Sequence, residues 1–166
     1  MNPFLIGGIV AIIYVVTRKS GSSSVRASRN FTFAELSRTA TGLPNTPTDK
    51  EKAWLEATAL EILEPIRAKF GPIIINSGYR SQEVNTRIGG SPTSQHMLGQ
   101  AADIVSPNAT PIEIVNWLYY SDLPLRQVIL YPPSEGNFVH VAIDPNRPAK
   151  RQFLQKNGAF ADWSPT

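Results

Sequence analysis

The sequence predicts an α+β fold, a small and mostly antiparallel sheet with flanking helices, on three observations. Helix-start signals dominate the first half, whereas segments rich in β-branched and aromatic residues gather in the second. Two of those segments, 127–131 and 138–143, flank Pro132-Pro133-Ser134-Glu135-Gly136-Asn137, a turn-rich connection that reads as a hairpin. The third observation is size. A chain of 166 residues, 42% hydrophobic and 17% charged, suits one globular domain with a modest core. Its 14 prolines suggest many turns, but the apolar content is too high for wholesale disorder.

The elements follow in order. Residues 1–19 read as one segment: residues 1–17 carry no charge and at about 1.5 Å per residue reach about 25 Å, and Arg18-Lys19 close them. With charges after the run rather than before it, a membrane anchor fits better than a cleaved signal. Residues 20–30 read as a Ser/Gly and basic linker. A domain at 31–148 begins with Thr32-Phe33-Ala34-Glu35, a capping-box pattern for a short helix. After a Gly/Pro/Asn loop at 39–47, Thr48 and Glu51 open a longer helix, with Ala53, Ala57, Leu60, Leu63 and Phe70 as its apolar stripe and Pro65 dividing it. Residues 72–76 are a continuous apolar run, read as a buried strand. Ser81 caps a brief helix that Gly89-Gly90 ends. A loop at 91–99 leads to a strand at 100–105, and Thr110-Pro111-Ile112-Glu113 starts a helix through Trp117 and Leu118. The two strands of the hairpin complete the domain. The tail, 149–166, has a turn signal at Asn157-Gly158 that suggests a further small hairpin.

Composition narrows the chemistry. With no cysteine, the chain has no disulfide, thiolate metal site or Cys nucleophile. A net charge of +3 is too weak to imply nucleic acid as a partner. Only two histidines are present, so metal or acid–base chemistry falls to His96, His140 and carboxylates. His96 lies in Ser94-Gln95-His96-Met97-Leu98-Gly99-Gln100-Ala101-Ala102-Asp103, with Asp103 on the strand that follows, and His140 lies in the last strand of the domain. Two imidazoles and one carboxylate make a three-ligand zinc set with an open position. Taken singly, each histidine is as well explained as a loop residue or a satisfied core residue.

The ordered motifs add to this. Phe31-Thr32-Phe33-Ala34-Glu35-Leu36, Leu63-Glu64-Pro65-Ile66-Arg67, Ile75-Asn76-Ser77-Gly78-Tyr79-Arg80-Ser81, the Ser-x-His-x-x-Gly-x-Ala-x-Asp pattern at 94–103 and Phe138-Val139-His140-Val141 together resemble the zinc D-Ala-D-Ala carboxypeptidase family, including its phage relatives. The resemblance implies a Hedgehog/DD-peptidase-like fold, one zinc ion held by His96, Asp103 and His140, and hydrolysis of peptidoglycan stem peptides. It also implies that Arg80 faces substrate and steadies oxyanion charge and that Ser94 bonds a substrate carboxylate or backbone; Tyr79 and Gln95 read equally as cleft-lining or as structural residues.

One departure stands out. The family places an acid three residues before the last zinc ligand, and this chain has Asn137 there. Asn137 cannot move a proton, so Glu135 becomes the candidate base if a turn brings it within reach. Two expectations result: an active zinc peptidase, or a zinc-binding relative of little activity that serves as a peptidoglycan-binding or virion structural protein. The apolar run at 4–17 adds a third expectation, a single-pass membrane protein of a bacterial envelope or phage virion membrane, with membrane or virion proteins as partners.

Overall fold

Helices start where short polar side chains can occupy the first unpaired N–H groups. The computed structural model describes residues 25–144 and 151–165. Thr32 opens α1 (Phe33–Leu36) by accepting from the Glu35 N–H at 3.1 Å. Reciprocal Thr/Glu boxes open α2 (Asp49–Thr58) at Thr48 and Glu51, and α5 (Pro111–Tyr120) at Thr110 and Glu113. Ser81 caps α4 (Gln82–Arg87) through the Val84 N–H.

α2 continues through one π turn, Ala59–Leu63, into α3 (Glu64–Phe70). Pro65 falls in the first turn of α3, just after the wider turn; lacking an N–H, it divides the helix as expected. The apolar stripe differs from the expected one. Leu55, Ala59, Ile62, Leu63 and Ile66 are buried, whereas Leu60 is 51% exposed. The larger aliphatic side chains choose the buried face, and an alanine-based phase missed it.

The sheet has six strands in the order β1-β2-β4-β3-β5-β6. They are β1 (Ile74–Ser77), β2 (Ala101–Val105), β3 (Leu125–Tyr131), β4 (Phe138–Ile143), β5 (Gln152–Asn157) and β6 (Ala159–Asp162). Every neighbouring pair is antiparallel except β3–β5, in agreement with the predicted class. β1 is an edge strand and not a doubly buried one: Ile75 is 2% exposed and Ile74 51%. Helices cover only one face there, so its apolar run is half solvated. The hairpin expected at Asn157-Gly158 forms as β5–β6, and β5 pairs with β3, which carries the sheet beyond residue 148.

The strand period of two divides the sheet by function. Ala102, Ile104, Val128, Leu130, Val139, Val141 and Ile143 face the helices and join Leu55, Ile62, Ile66, Ile114 and Leu118 in one core cluster. The opposite face carries a single row across all six strands: Ser77, Asp103, His140, Ile129, Leu154 and Asp162.

The expectation of a single-pass membrane protein is corrected. Among the described residues, no helix is long and apolar enough to cross a membrane. The apolar run on which it rested, and residues 20–24 of the expected linker, lie outside the described residues. Residues 25–30 are packed on the domain rather than free as a linker: Ala27 is buried in the core cluster, and Ser28 and Asn30 bond to Glu64.

Candidate metal centre

His96 reaches the site on a single 3₁₀ turn, Gln95–Leu98, stopped by Gly99 in the left-handed conformation (φ 71°). Gly99 is also packed against α2, where a Cβ would lie 2.5 Å from the Glu51 carbonyl oxygen. The Thr58 hydroxyl donates to the Gly99 carbonyl and pins the turn. Asp103 and His140 are directly paired across β2 and β4, so the register brings these two together, and the turn just before β2 adds His96.

His96 Nδ1 lies 2.6 Å from the Gly78 carbonyl. A carbonyl only accepts, so Nδ1 carries the hydrogen and Nε2 presents its lone pair. Asp103 Oδ1 lies 3.2 Å from that Nε2 and 2.8 Å from His140 Nδ1, and the two imidazole nitrogens are 3.2 Å apart. Ligand atoms about 2.0–2.1 Å from a tetrahedral zinc ion stand about 3.3 Å from one another, so this triangle fits the ion closely. Burial lowers the pKa of His96, which favours the neutral imidazole a metal requires. Burial alone would raise Asp103, but His96 and His140 outweigh it and hold the carboxyl far below its ordinary range. All three residues are buried, and among the described residues they are the one group of His, Asp and Glu side chains able to hold a metal.

Arg80 stands beside the triad. Its Nη2 donates to Asp103 Oδ2 at 2.6 Å, and its Nε donates to Ser77 Oγ at 2.8 Å. Its backbone N–H donates to the His96 carbonyl. Asn45, from the loop expected between α1 and α2, braces this segment: it donates to the Ser37 and Tyr79 carbonyls and accepts from the Ser81 N–H.

The other expected residues are placed as follows. Ser94 caps the His96 turn and Gln95 begins it, both half-buried. Tyr79 fits the structural one of its two readings. It is 8% exposed and belongs to the core cluster that includes Phe31 and Leu36. Asn137 is exposed and adopts a left-handed φ of 55°, a conformation asparagine tolerates, at the end of the 3₁₀ turn Pro133–Glu135. Glu135 is not among the clustered donors: its Oε1 accepts from the Gly158 N–H of the β5–β6 turn at 2.8 Å. Sequence reasoning missed the parts of Ser77 and Gly78, whose oxygens orient Arg80 and His96. Their only signal was membership of the Ser77-Gly78-Tyr79-Arg80 motif.

The Peptidase M15 family profile matches residues 29–142. The zinc D-Ala-D-Ala carboxypeptidase of Streptomyces albus G is 36% identical over 78 residues, which make up 45% of this chain and 31% of that protein. The chain therefore spans about a third of the length of this curated relative. Zinc is the cofactor on which the family, the relative and the donor set agree. With the match extending over most of the sequence, the chain belongs to the M15 peptidase family.

Proposed function

We propose that the chain is a zinc-dependent peptidase that hydrolyses peptide bonds in the stem peptides of peptidoglycan, at or next to a D-amino acid. The observation that carries this reading is the triangle of His96 Nε2, Asp103 Oδ1 and His140 Nδ1, beside which Arg80 lies. When bound, zinc supplies Lewis acidity towards a carbonyl and lowers the pKa of a water towards about 7. Arg80, held by Asp103 and Ser77, steadies negative charge on the scissile carbonyl oxygen. Ser94 and Gln95, on the turn that delivers His96, orient the substrate backbone.

Asn137 sets the expected rate. A positioned general base contributes about 10²–10⁴-fold; Asn137 has no proton-accepting carboxylate to supply it, and Glu135 is engaged by the Gly158 N–H of the β5–β6 turn. The reading is therefore of a slow peptidase. The same observation favours a second reading, a zinc-loaded protein that binds peptidoglycan, in a wall or a virion, without turnover.

The test compares the full chain with His96→Ala on muropeptides, with zinc content measured for both. Zinc-dependent cleavage that His96→Ala abolishes supports the peptidase, and full zinc occupancy without cleavage supports the binding protein. Asn137→Asp should raise the rate about 10²-fold by restoring a carboxylate three residues before His140.

A further inference from the structure

The metal donors use only part of their sheet face. Two positions along from the row that contains them, a second row runs through Phe138, Tyr131, Lys156 and Phe160. Phe138 pairs with Tyr131 and Lys156 with Phe160. The last parallel pair, Leu130 and Gln155, faces the core side, so the next residues, Tyr131 and Lys156, share the metal-bearing face. The Tyr131 and Phe138 rings stack at 4.1 Å and 12°. Lys156 Nζ lies 5.3 Å from the Phe160 ring centre and donates to the Gly158 carbonyl. Glu135 accepts from the N–H of the same glycine, which ties the hairpin to the loop leading into β4.

Core packing does not account for this strip. Phe160 is 55% exposed, and Tyr131, Phe138 and Lys156 are half-buried and outside the core cluster. It adjoins the metal row: Phe138 and Tyr131 stand two residues from His140 and Ile129 on the same face of the sheet. The result is an aromatic floor that ends in a fixed ammonium, which has three donors and gives one to Gly158.

We propose that this strip is a substrate subsite in which a peptide lies across β3 and β5 and places a free carboxylate on Lys156. The proposal rests on the peptidase reading above. Lys156 is two strands from His140 and two residues along, a distance of about 12 Å, or three to four residues of extended peptide from the scissile bond. The strip thus selects peptides by the charge of a side group well away from the bond that is cut.

The experiment uses the zinc-loaded full chain and two synthetic peptides that differ only in whether one carboxylate, three or four residues from the scissile bond, is free or amidated. The wild type should show a KM roughly fivefold lower for the free acid, as expected of a half-exposed ion pair. Lys156→Gln should bring the two KM values together at unchanged kcat, and Lys156→Arg should preserve the difference. A difference that survives Lys156→Gln, or a loss in kcat rather than KM, overturns the subsite. If no peptide is cleaved, the peptidase reading fails by itself and calorimetric titration of the same pair decides the subsite. Tighter binding of the acid that is lost in Lys156→Gln supports it; equal binding by the wild type overturns it.

Discussion

Gly78→Ala should damage stability and metal affinity together, because Gly78 serves both. Its φ is outside the left-handed region, so alanine meets no torsional objection there. The obstacle is space. A Cβ would lie 2.1 Å from the Leu36 carbonyl oxygen and 2.9 Å from its carbon, backbone atoms with no rotamer to change, whereas ordinary contact begins at 3.4 Å. The approach of α1 to β1 must open by more than about 1 Å, which strains or breaks the 2.7 Å hydrogen bond from the Tyr79 N–H to Leu36 O. Overpacking of this kind costs about 1–3 kcal/mol, and a lost backbone hydrogen bond about 1 kcal/mol, so the expected loss is about 2–4 kcal/mol. The same shift moves the Gly78 carbonyl that orients His96 through Nδ1. Disturbing a partner of a metal-bound histidine lowers metal affinity about 10–100-fold. Urea denaturation of the metal-free chain measures the first effect, and zinc titration against a competing chelator the second. Unchanged unfolding midpoint and zinc affinity would refute the close approach. Lower stability at full affinity would refute only the carbonyl's part in orienting His96.

Two further predictions concern charged side chains held by several hydrogen bonds each. Arg80→Lys loses the fork that reaches Asp103 and Ser77 together, so kcat on a cleaved muropeptide should fall about 10²-fold while zinc occupancy stays at the parent level; loss of zinc instead would make Arg80 a structural support of the ligands. Glu64, on α3, accepts from the Ser28 hydroxyl and from the Asn30 N–H and Nδ2, each at 2.7 Å. Burial would raise its pKa, but these bonds outweigh it and lower the value from 4.5. A depressed carboxylate stabilises the fold above its unfolded pKa and loses that contribution as the pH falls through the folded value. Glu64→Gln should therefore cost about 1–2 kcal/mol in urea at pH 7 and progressively less as the pH falls below about 4.5; a cost that does not decline on acidification would contradict the assignment.

The legible parts of this structure are those written in neighbouring residues. Thr48 with Glu51, Thr110 with Glu113, and Ser81 each satisfy an N–H three residues on, so the helix starts needed no tertiary information. The metal triad was legible through the ordered motifs: taken singly, His96 and His140 read as loop and core residues, and it is the family resemblance carried by 94–103 and 138–141 that joins them with Asp103. What the sequence hid depends on distant partners. The phase of α2 follows from which side chains reach the sheet, not from a count of alanines. The exposure of Ile74 follows from β1 lying at an edge. Tyr79 reads equally as a cleft or a structural residue, and only the packing, with Arg80 on Asp103 and Tyr79 in the core, chooses between them. Glu135 looked like a base because it is near His140 in sequence; its hydrogen bond to Gly158, across the sheet, was not visible there.

The separation of the two sheet faces makes a testable statement about the metal itself. Small domains whose zinc replaces a core unfold when it is removed. Here the core belongs to the other face, where Ile62, Leu63, Ile66, Ile104, Ile114, Leu118, Val139 and Val141 are almost wholly buried. The ligands also have protein partners of their own: His96 has Gly78, and Asp103 has Arg80 and His140. Removing the ion therefore uncovers no apolar surface and leaves Asp103 paired. Chelated protein should keep its far-ultraviolet circular dichroism and a cooperative urea transition. Zinc should raise stability only by mass action, about 4 kcal/mol at a thousand times its Kd. A chelated chain that lost its cooperative transition would show that the site face holds the fold together, and the division of labour between the two faces would be wrong.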